Sequence, residues 1–407
     1  MHKPLEGMRV LDLSRVLAGP WASQTLADLG ADVIKIERPG VGDDTRSWGP
    51  PYAKKPDGTD SSEAAYFLAA NRGKRSVAID IASAEGQALV SALAERSDIV
   101  IENFKVGALA RYGLDYQTLA TLNPRLIYCS ITGFGQSGPY ADRPGYDFMI
   151  QGLGGLMSIS GNPDGAPGSG PMKTGVAVAD LVSGLYATIA ILAAVTGRAK
   201  TGYGTHIDIS LLDCQVAMLA NQAMNYLTTG TSPGRLGNAH PNIVPYEAFA
   251  TADSHVIVAV GNDMQFAAFA RIAGHDDWAV DPRFATNPAR VANRTLLTAQ
   301  IAAVMKERTS AVWLKDLTGA GVPCGPINDL ASVFADPHVI ARGLNVTLPH
   351  PEAGQVPGVA NPIRFDEQSQ TSQLAPPRLG NDTAAVLAEH LGLNARDIAA
   401  LRQRGVI

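Results

Sequence analysis

The 407-residue chain lacks several features that mark common classes of protein. Its three cysteines, Cys129, Cys214 and Cys324, are widely spaced and form no CxxC pair, which argues against a disulfide framework or a zinc cluster and favours a reducing, cytoplasmic environment. Lysine and arginine number 33 against 38 aspartates and glutamates, so there is no basic excess to hold a nucleic acid. The first residues lack the layout of a signal peptide, and we expect no export.

The motifs of the commonest nucleotide and hydrolase sites are missing as well. No G-x-G-x-x-G motif opens a predicted helix, and the chain contains no G-x-x-x-x-G-K-[ST] or H-E-x-x-H motif. The GLGG run at 152–155 does not follow the first strand, so we expect no nicotinamide site. The eight histidines form no i, i+3 or i+4 pair, and no metal site is expected.

Strand-like and helix-like patterns alternate through residues 1–140. Strands that alternate with helices form parallel sheets with helices on their faces, so the sequence predicts an α/β fold. Ligands of such sheets bind beyond the carboxyl ends of the strands, and we expect the functional residues in the loops there. The predicted strands are 8–13, 32–37, 76–81, 98–104 and 125–131, and the predicted helices are 21–29, 84–96 and 106–112.

The composition changes twice in the second half of the chain. After a strand at 205–209 and a helix at 211–227, residues 228–241 are rich in turn formers, and the character changes again near residue 336. We therefore expect a smaller α+β domain between these points. It would hold strands at 246–250 and 255–260 and helices at 264–272, 296–306 and 311–320, and two further helices, 383–390 and 397–404, would close the chain.

An apolar stretch at 176–195 carries one charged residue, Asp180. The stretch is close to the length of a membrane span, but a carboxylate inside a bilayer is costly, so we interpret it as a buried core helix. On spacing alone two roles are open for Asp180. It is either a helix cap satisfied by backbone N–H groups, or a nucleophile or base held on a rigid helix beside the glycine-rich segment 149–171.

Basic residues recur near the ends of the predicted strands. Each alone would be assigned to a solvated surface, but their repetition favours a local anion site, such as one for the phosphates of a nucleotide-like ligand. These residues are Arg15, Arg38, Arg46, Lys74, Arg75, Lys105 and Arg111.

Several motifs, in order along almost the whole chain, resemble the class III coenzyme A transferases, the CaiB/BaiF family. The runs that carry the resemblance are LDLSRVLAGP from Leu11, LGADVIKIERPG from Leu29, NRGKRS from Asn71, ENF from Glu102, NPRLIY from Asn123, GFG from Gly133, VAD ending at Asp180, PRLG from Pro377 and the terminal GVI.

The resemblance implies an interlocked homodimer. Its large Rossmann-like domain would comprise residues 1–228 and 335–407, and an inserted α+β domain residues 229–334. It also implies that acyl-CoA and a small carboxylic acid are the substrates, that no cofactor is tightly bound, and that Asp180 is the catalytic residue. The implied coenzyme A contacts are Val16, Arg38, Asn71, Lys74, Arg75, Asn103, Phe104, Lys105, Arg111 and Tyr146.

In the mechanism that the resemblance implies, Asp180 forms an acyl anhydride and then a thioester with coenzyme A. Three alternatives are weighed against it. Racemases that resemble this chain carry Gly-His-Asp where this chain has Gly145-Tyr146-Asp147, so the second base of a proton exchange is missing. Formyl-CoA:oxalate enzymes have Gln where this chain has Leu17, and a poly-Gly loop where it has residues 261–263, so both departures weaken that alternative. A non-catalytic coenzyme A-binding scaffold is disfavoured by the retained Asp180.

The segments 242–246 and 260–263 look more like members that use succinyl-CoA and dicarboxylic acids. Such a substrate needs a cation for its distal carboxylate. The candidates are Arg15, Arg46 and Arg235, which the sequence does not rank.

Overall fold

The computed structural model describes residues 3–407 and divides into two compact units. The first contains residues 3–155, 174–220 and 337–407, and the second residues 156–173 and 221–336. These units differ from the predicted domain boundaries, because residues 156–173, 221–228 and 335–336, assigned from sequence to the large domain, belong to the second unit.

Strands and helices alternate along the described residues. The strands are β1 Arg9–Asp12, β2 Asp32–Glu37, β3 Tyr52–Lys54, β4 Asp60–Ala64, β5 Lys74–Ala78, β6 Ile99–Glu102, β7 Ile127–Thr132, β8 Thr205–Ser210, β9 Tyr246–Ala250, β10 His255–Ala259, β11 Cys324–Pro326, β12 Asn345–His350, β13 Gly354–Val359, β14 Arg364–Phe365 and β15 Gln368–Ser369. The α-helices are α1 Ala18–Asp28, α2 Ala65–Ala70, α3 Ala84–Glu95, α4 Tyr116–Leu122, α5 Asp147–Leu153, α6 Leu156–Ile159, α7 Val178–Thr201, α8 Leu211–Met218, α9 Ala220–Thr229, α10 Asp263–Ile272, α11 Asn287–Ala292, α12 Arg294–Met305, α13 Ser310–Gly319, α14 Leu330–Ala335, α15 Pro337–Ala341, α16 Thr383–Leu391 and α17 Ala395–Gln403.

A six-stranded sheet forms the centre of the first unit, with strand order β5-β2-β1-β6-β7-β8 and every neighbour parallel. Numbered by their succession along the chain, these strands lie in the order 3-2-1-4-5-6, the order of the Rossmann fold. Residues pointing to both faces are buried, as with Val10 and Leu11 in β1, because helices cover both sides. The predicted α/β fold with a parallel sheet is confirmed.

Three elements differ from the sequence-based expectation. Strand β5 begins at Lys74, two residues early, because this charged side chain is fully buried and paired with a carboxylate. The helix predicted at 106–112 is reduced to a 3₁₀ turn at Ala110–Tyr112, since Gly107 and Gly113 both have positive φ. The helix predicted at 211–227 is two helices, α8 and α9, and Ala220 at their junction has φ of 44°.

Helix α7 is the longest helix that the structure describes, and it packs closely on α1. A Cβ on Gly184 would lie 2.6 Å from the carbonyl oxygen of Ala18, so only glycine permits the two backbones to approach this closely. One face of α7 is buried, including Ala187 and Ile191, while Leu185 and Ile189 on another face are exposed. The expectation of a wholly buried core helix is therefore correct for one face only.

By length and composition alone, α7 could cross a membrane. Its most apolar window has a mean hydropathy of 2.0, and 33% of that window is buried.

The second unit has its own sheet and its own core. Strands β11, β10 and β9 form an antiparallel sheet in that order. Its side chains pack with those of the surrounding helices around Phe249, Phe266 and Trp313, which are all buried. Arg290 is fully buried there and donates to the carbonyl oxygens of Val244 and Phe284.

Candidate active site

The loop between β1 and α1 lies at the carboxyl edge of the sheet and is held by the loop after its neighbour β6. Both backbone groups of Arg15 are bound by the Asn103 side chain. The Arg15 N–H donates to Asn103 Oδ1 at 2.9 Å, and Asn103 Nδ2 donates to the Arg15 carbonyl oxygen at 2.7 Å. The two loops therefore form one rigid wall at the edge where ligands of parallel sheets bind.

The next residue, Val16, has a left-handed backbone with φ of 68°. Its N–H donates to both carboxylate oxygens of Asp43 at 3.2 Å, and Asp43 in turn pairs with Lys35 at 2.9 Å. The side chains of Asp43 and Lys35 are fully buried. Burial opposes ionisation, but Lys35 and the hydrogen bonds from Thr45 prevail and hold the pKa of Asp43 at about 2.

Two cavities open at this edge of the sheet. The larger, of about 750 Å³, is lined by Arg38, Lys105 and Arg111 among others. None of these three cations pairs with a carboxylate among residues 3–407, which leaves their charge available to an anionic ligand. The smaller, of about 280 Å³, contains Asp180. Arg15, Asp44, Phe104 and Lys105 line both cavities, so the two are adjacent.

Asp180 occupies the first turn of α7 and is partly buried at the wall of the smaller cavity. Its carboxylate has no hydrogen bond or ion pair within the described part of the chain. The helix start is capped instead by Asp147, whose Oδ1 accepts the N–H of Ala179 at 2.9 Å and whose Oδ2 accepts from Gln151 at 2.7 Å. The helix-cap interpretation of Asp180 is thus not supported by the structure.

The absence of a partner changes the acidity of Asp180. Burial, and to a smaller extent the charge of Asp147, raise the pKa of Asp180 from 3.8 to about 7. The positive end of the α7 dipole acts in the opposite sense. A carboxylate with a raised pKa at the wall of a cavity is a common feature of catalytic sites.

A loop closed at its base contributes the remaining wall of the smaller cavity. Gly133 and Gly145 meet so closely that a Cβ on Gly133 would lie 2.5 Å from the Cα of Gly145. Arg143, next to this base, lies 4.4 Å from the ring centroid of Tyr140 and 5.3 Å from that of Phe134. Within residues 3–407 its guanidinium forms no ion pair, so aromatic rings rather than a carboxylate hold it at the cavity.

The sequence model of CoA-transferase family III matches residues 5–383. The chain belongs to this family. It is 53% identical to the succinate–glutarate CoA-transferase of Agrobacterium fabrum, with 95% of each chain covered. It is 43% identical to the human succinyl-CoA:glutarate CoA-transferase, covering all of this chain and 90% of that one. The crystal structure of a CAIB/BAIF family protein from Brucella suis superposes with a TM-score of 0.84 at 52% identity, covering 96% of this chain and 100% of that one.

The chain is therefore a class III CoA-transferase, and its structure brings together most of the predicted site residues. The side chains that line one cavity or both are Val16, Arg38, Asn103, Phe104, Lys105, Arg111, Tyr146 and Asp180.

Three predicted contacts lie elsewhere. Lys74 is fully buried, with its ammonium 3.2 Å from Asp12 and 2.8 Å from Asn71 Oδ1, so both Lys74 and Asn71 belong to the protein interior. Arg75 pairs with Asp32 at 2.6 Å and with Glu389 at 2.7 Å. Lys74 and Arg75 open β5, at the end of the strand opposite the carboxyl edge, and Asn71 lies between α2 and β5. A sequence pattern without strand register does not reveal this.

Sequence analysis missed Arg143 as a cavity residue of the transferase. The signal available was a lone arginine in a segment rich in glycine and proline directly after a strand, which also describes many surface loops. The aromatic contacts that fix this side chain depend on Phe134 and Tyr140, nine and three residues away, and appear only in three dimensions.

We predict that Asp180→Asn stabilises the folded protein at alkaline pH. The pKa of Asp180 is higher in the folded protein than in the unfolded chain, so ionisation of this carboxylate lowers the free energy of unfolding. The loss is absent below pH 3.8, grows as the pH rises to about 7, and is constant above that. The upper limit of this loss is about 4 kcal/mol, and because Asp180 is partly exposed to solvent, we expect about 1–3 kcal/mol. Urea unfolding of the wild type and the variant should show this difference at pH 8 and a smaller one at pH 5.5.

The exposed Asp213 in α8 provides the control. Asp213→Asn should change the free energy of unfolding equally at both pH values. A difference for Asp180→Asn that does not depend on pH would contradict the raised pKa.

Proposed function

We propose that this enzyme transfers coenzyme A from succinyl-CoA to a dicarboxylic acid such as glutarate, with Asp180 as the nucleophile. The observation that carries the proposal is a carboxylate without a partner among residues 3–407, at the wall of a cavity adjacent to a second one. Cations that pair with no carboxylate in that part of the chain line the second cavity. The substrates are proposed from those of the similar enzymes, which include a succinyl-CoA:mesaconate CoA-transferase of Haloarcula hispanica at 37% identity, with 95% of this chain and 96% of that one covered.

The two cavities suit the two ends of coenzyme A. Arg38, Lys105 and Arg111 would bind the phosphates in the larger cavity, where multiple charge-assisted contacts favour a polyanion. Phe104 and Lys105 are common to both cavities, so the pantetheine arm would pass them on its way to Asp180. Val16, Asn103 and Tyr146 would then lie near the thioester.

The chemistry follows from a carboxylate nucleophile. Asp180 attacks the thioester carbonyl of succinyl-CoA, and the C–S bond breaks to give an aspartyl-succinyl anhydride and coenzyme A thiolate. The thiolate attacks the aspartyl carbonyl and releases succinate, leaving an aspartyl-CoA thioester. The acceptor carboxylate attacks this thioester, forming a second anhydride, and the thiolate then takes the new acyl group and regenerates Asp180. No net proton is consumed.

Acidity matters for the first step because only the ionised carboxylate attacks. A pKa of about 7 leaves about half of Asp180 ionised at neutral pH. Strong hydrogen-bond donors would lower the pKa and increase the ionised fraction, but they would also make the carboxylate less nucleophilic.

The alternatives lack supporting residues. No histidine lines either cavity within the described residues, and Tyr146 stands where a racemase would need one, so proton exchange at the α-carbon has no second base. Leu17 lines the smaller cavity where a formyl-CoA:oxalate enzyme would have Gln.

A dicarboxylate needs a cation for its distal carboxylate, and the three candidates from sequence differ in availability. Arg46 is committed to Glu37 and Glu63 in the interior. Arg235 pairs with Asp164 in the second unit. Arg15 pairs with Asp44 at 3.0 Å. Arg143 has no carboxylate partner in residues 3–407, and we propose it for this role instead.

A homodimer is proposed as the assembled form. The exposed side of α7 includes Leu185, Tyr186 and Ile189, a contiguous apolar strip on a helix of high mean hydropathy. Monomeric proteins rarely expose large contiguous apolar patches, so a second copy is expected to cover it. An interlocked dimer, a large Rossmann-like domain built from both ends of the chain and a cytoplasmic location stay predictions of the family resemblance.

We predict that succinyl-CoA labels Asp180 covalently. Hydroxylamine added during turnover should convert an aspartyl anhydride or thioester to a hydroxamate on the peptide that contains Asp180, as detected by mass spectrometry. Asp180→Asn should lose at least about 1,000-fold in kcat, because the nucleophile is removed. Asp213→Asn should be labelled and active like the wild type. Absence of the adduct from an active wild-type enzyme would overturn the proposal.

We predict that Arg143→Gln raises KM for glutarate by about 10- to 100-fold, the loss expected for one charge-assisted contact. A monocarboxylate acceptor such as butyrate has no distal carboxylate, so its KM should change little. Arg96→Gln, at an exposed position outside both cavities, is the control. An equal rise in KM for glutarate and for butyrate would exclude recognition of the distal carboxylate by Arg143.

We predict that light scattering will give a molar mass twice that of one chain. Leu185→Glu combined with Ile189→Glu should prevent assembly, because two buried carboxylates would face an apolar surface. Leu122→Glu, at an exposed apolar position on α4, should not alter the mass. A monomeric wild type at micromolar concentration would contradict the proposed dimer.

A further inference from the structure

The backbone of Val16 is in a conformation that its side chain disfavours. Left-handed φ angles are uncommon outside glycine and are genuine outliers for β-branched residues, and Val16 has φ of 68°. Such a conformation persists only where the surroundings determine it. Val16, Leu17 and Ala18 all line the cavity that contains Asp180, so this strained residue is part of the site wall.

A buried pair of charges holds Val16 in place. The carboxylate of Asp43 accepts the Val16 N–H with both oxygens at 3.2 Å. Lys35 binds both sides of the loop, with Nζ 2.8 Å from the Ser14 carbonyl oxygen and 2.9 Å from Asp43 Oδ2. Asp43 is fixed further by the N–H and hydroxyl of Thr45, at 3.0 and 2.8 Å. The loop is thereby fixed from its inner side.

Movement of this segment would be transmitted to Asp180 through the contact between α1 and α7. Ala18 begins α1, and its carbonyl oxygen faces Gly184 at a separation that leaves no room for a Cβ. Gly184 lies one helical turn after Asp180, on the same face of α7. A change of φ at Val16 therefore shifts the cavity wall. It also shifts the start of α1, which packs on α7 one turn after Asp180.

Burying two charges is an expensive way to stabilise a loop, and apolar side chains of similar volume often serve equally well. The Lys35–Asp43 pair is better explained by the geometry that it imposes. We propose that Lys35 and Asp43 are positioning residues for CoA transfer, which hold Val16 in its left-handed conformation and so keep the wall of the Asp180 cavity in its reactive shape. This inference rests on the proposed role of Asp180.

A double-mutant cycle tests the inference. Asp43→Asn replaces one of the two oxygens that accept the Val16 N–H by an amide N–H₂ and removes the negative charge that binds Lys35, so the hold on Val16 is weakened, and kcat should fall at least about tenfold. Val16→Gly removes the conformational penalty, because glycine adopts positive φ freely. In the Val16→Gly background, Asp43→Asn should therefore lower kcat less than about threefold. Equal losses in the two backgrounds would overturn the inference.

Loss of folding is separated from loss of positioning by a second variant. Lys35→Met combined with Asp43→Asn leaves no unpaired buried charge, and thermal unfolding confirms that the protein is folded. This variant should also lose at least about tenfold in kcat and recover in the Val16→Gly background. Full activity in a folded variant would contradict the positioning role. Hydroxylamine trapping distinguishes failure of the positioning role from failure of the proposed function. If the adduct forms at Asp180 but Asp43→Asn lowers kcat equally in the Val16 and Val16→Gly backgrounds, only the positioning role is contradicted.

Discussion

Charges buried beneath the carboxyl edge of the parallel sheet hold the loops of the candidate active site in place. Asp12 at the end of β1 pairs with Lys74 and accepts from Ser14 and Ser23, which fixes the start of the loop. Neighbouring β2 supplies Lys35 to Asp43 and Glu37 to Arg46. Each carboxylate has at least one cation and several hydrogen bonds, the condition under which buried charge is tolerated. These buried ion pairs and hydrogen bonds fix the loops that form the cavity walls.

The network also explains which cations remain for a ligand. Lys35, Arg46, Lys74 and Arg75 are all engaged by carboxylates of the same chain. Arg38, Lys105 and Arg111 at the larger cavity are not, nor is Arg143 at the smaller one, among the described residues. The register of the strands thus decides which basic residues are paired inside the protein and which are left unpaired at the cavities. Sequence motifs place both groups side by side.

This division marks the limit of prediction from the sequence. The parallel sheet was predictable because its strands are short apolar runs separated by helical patterns. Asp180 was a candidate because it interrupts an apolar helix, and its catalytic role stays a prediction. Lys74 and Asn71 were misplaced because the sequence does not show that Lys74 points inward to Asp12 from the opposite end of its strand. Arg143 was missed because its environment is made by a loop that closes where Gly133 meets Gly145.

Asp43 and Asp180 show how one fold gives two aspartates opposite properties. Both are largely withdrawn from water near the same loop. Asp43 is surrounded by Lys35 and the donors of Thr45, and its pKa falls to about 2. Asp180 has no hydrogen bond or ion pair among residues 3–407 and lies near Asp147, and its pKa rises to about 7. A carboxylate held by strong donors is a poor nucleophile, whereas one without them keeps its electron density for the substrate. The donors are concentrated on Asp43, which binds the cavity wall, and Asp180 is left without them, as the proposed nucleophilic role requires.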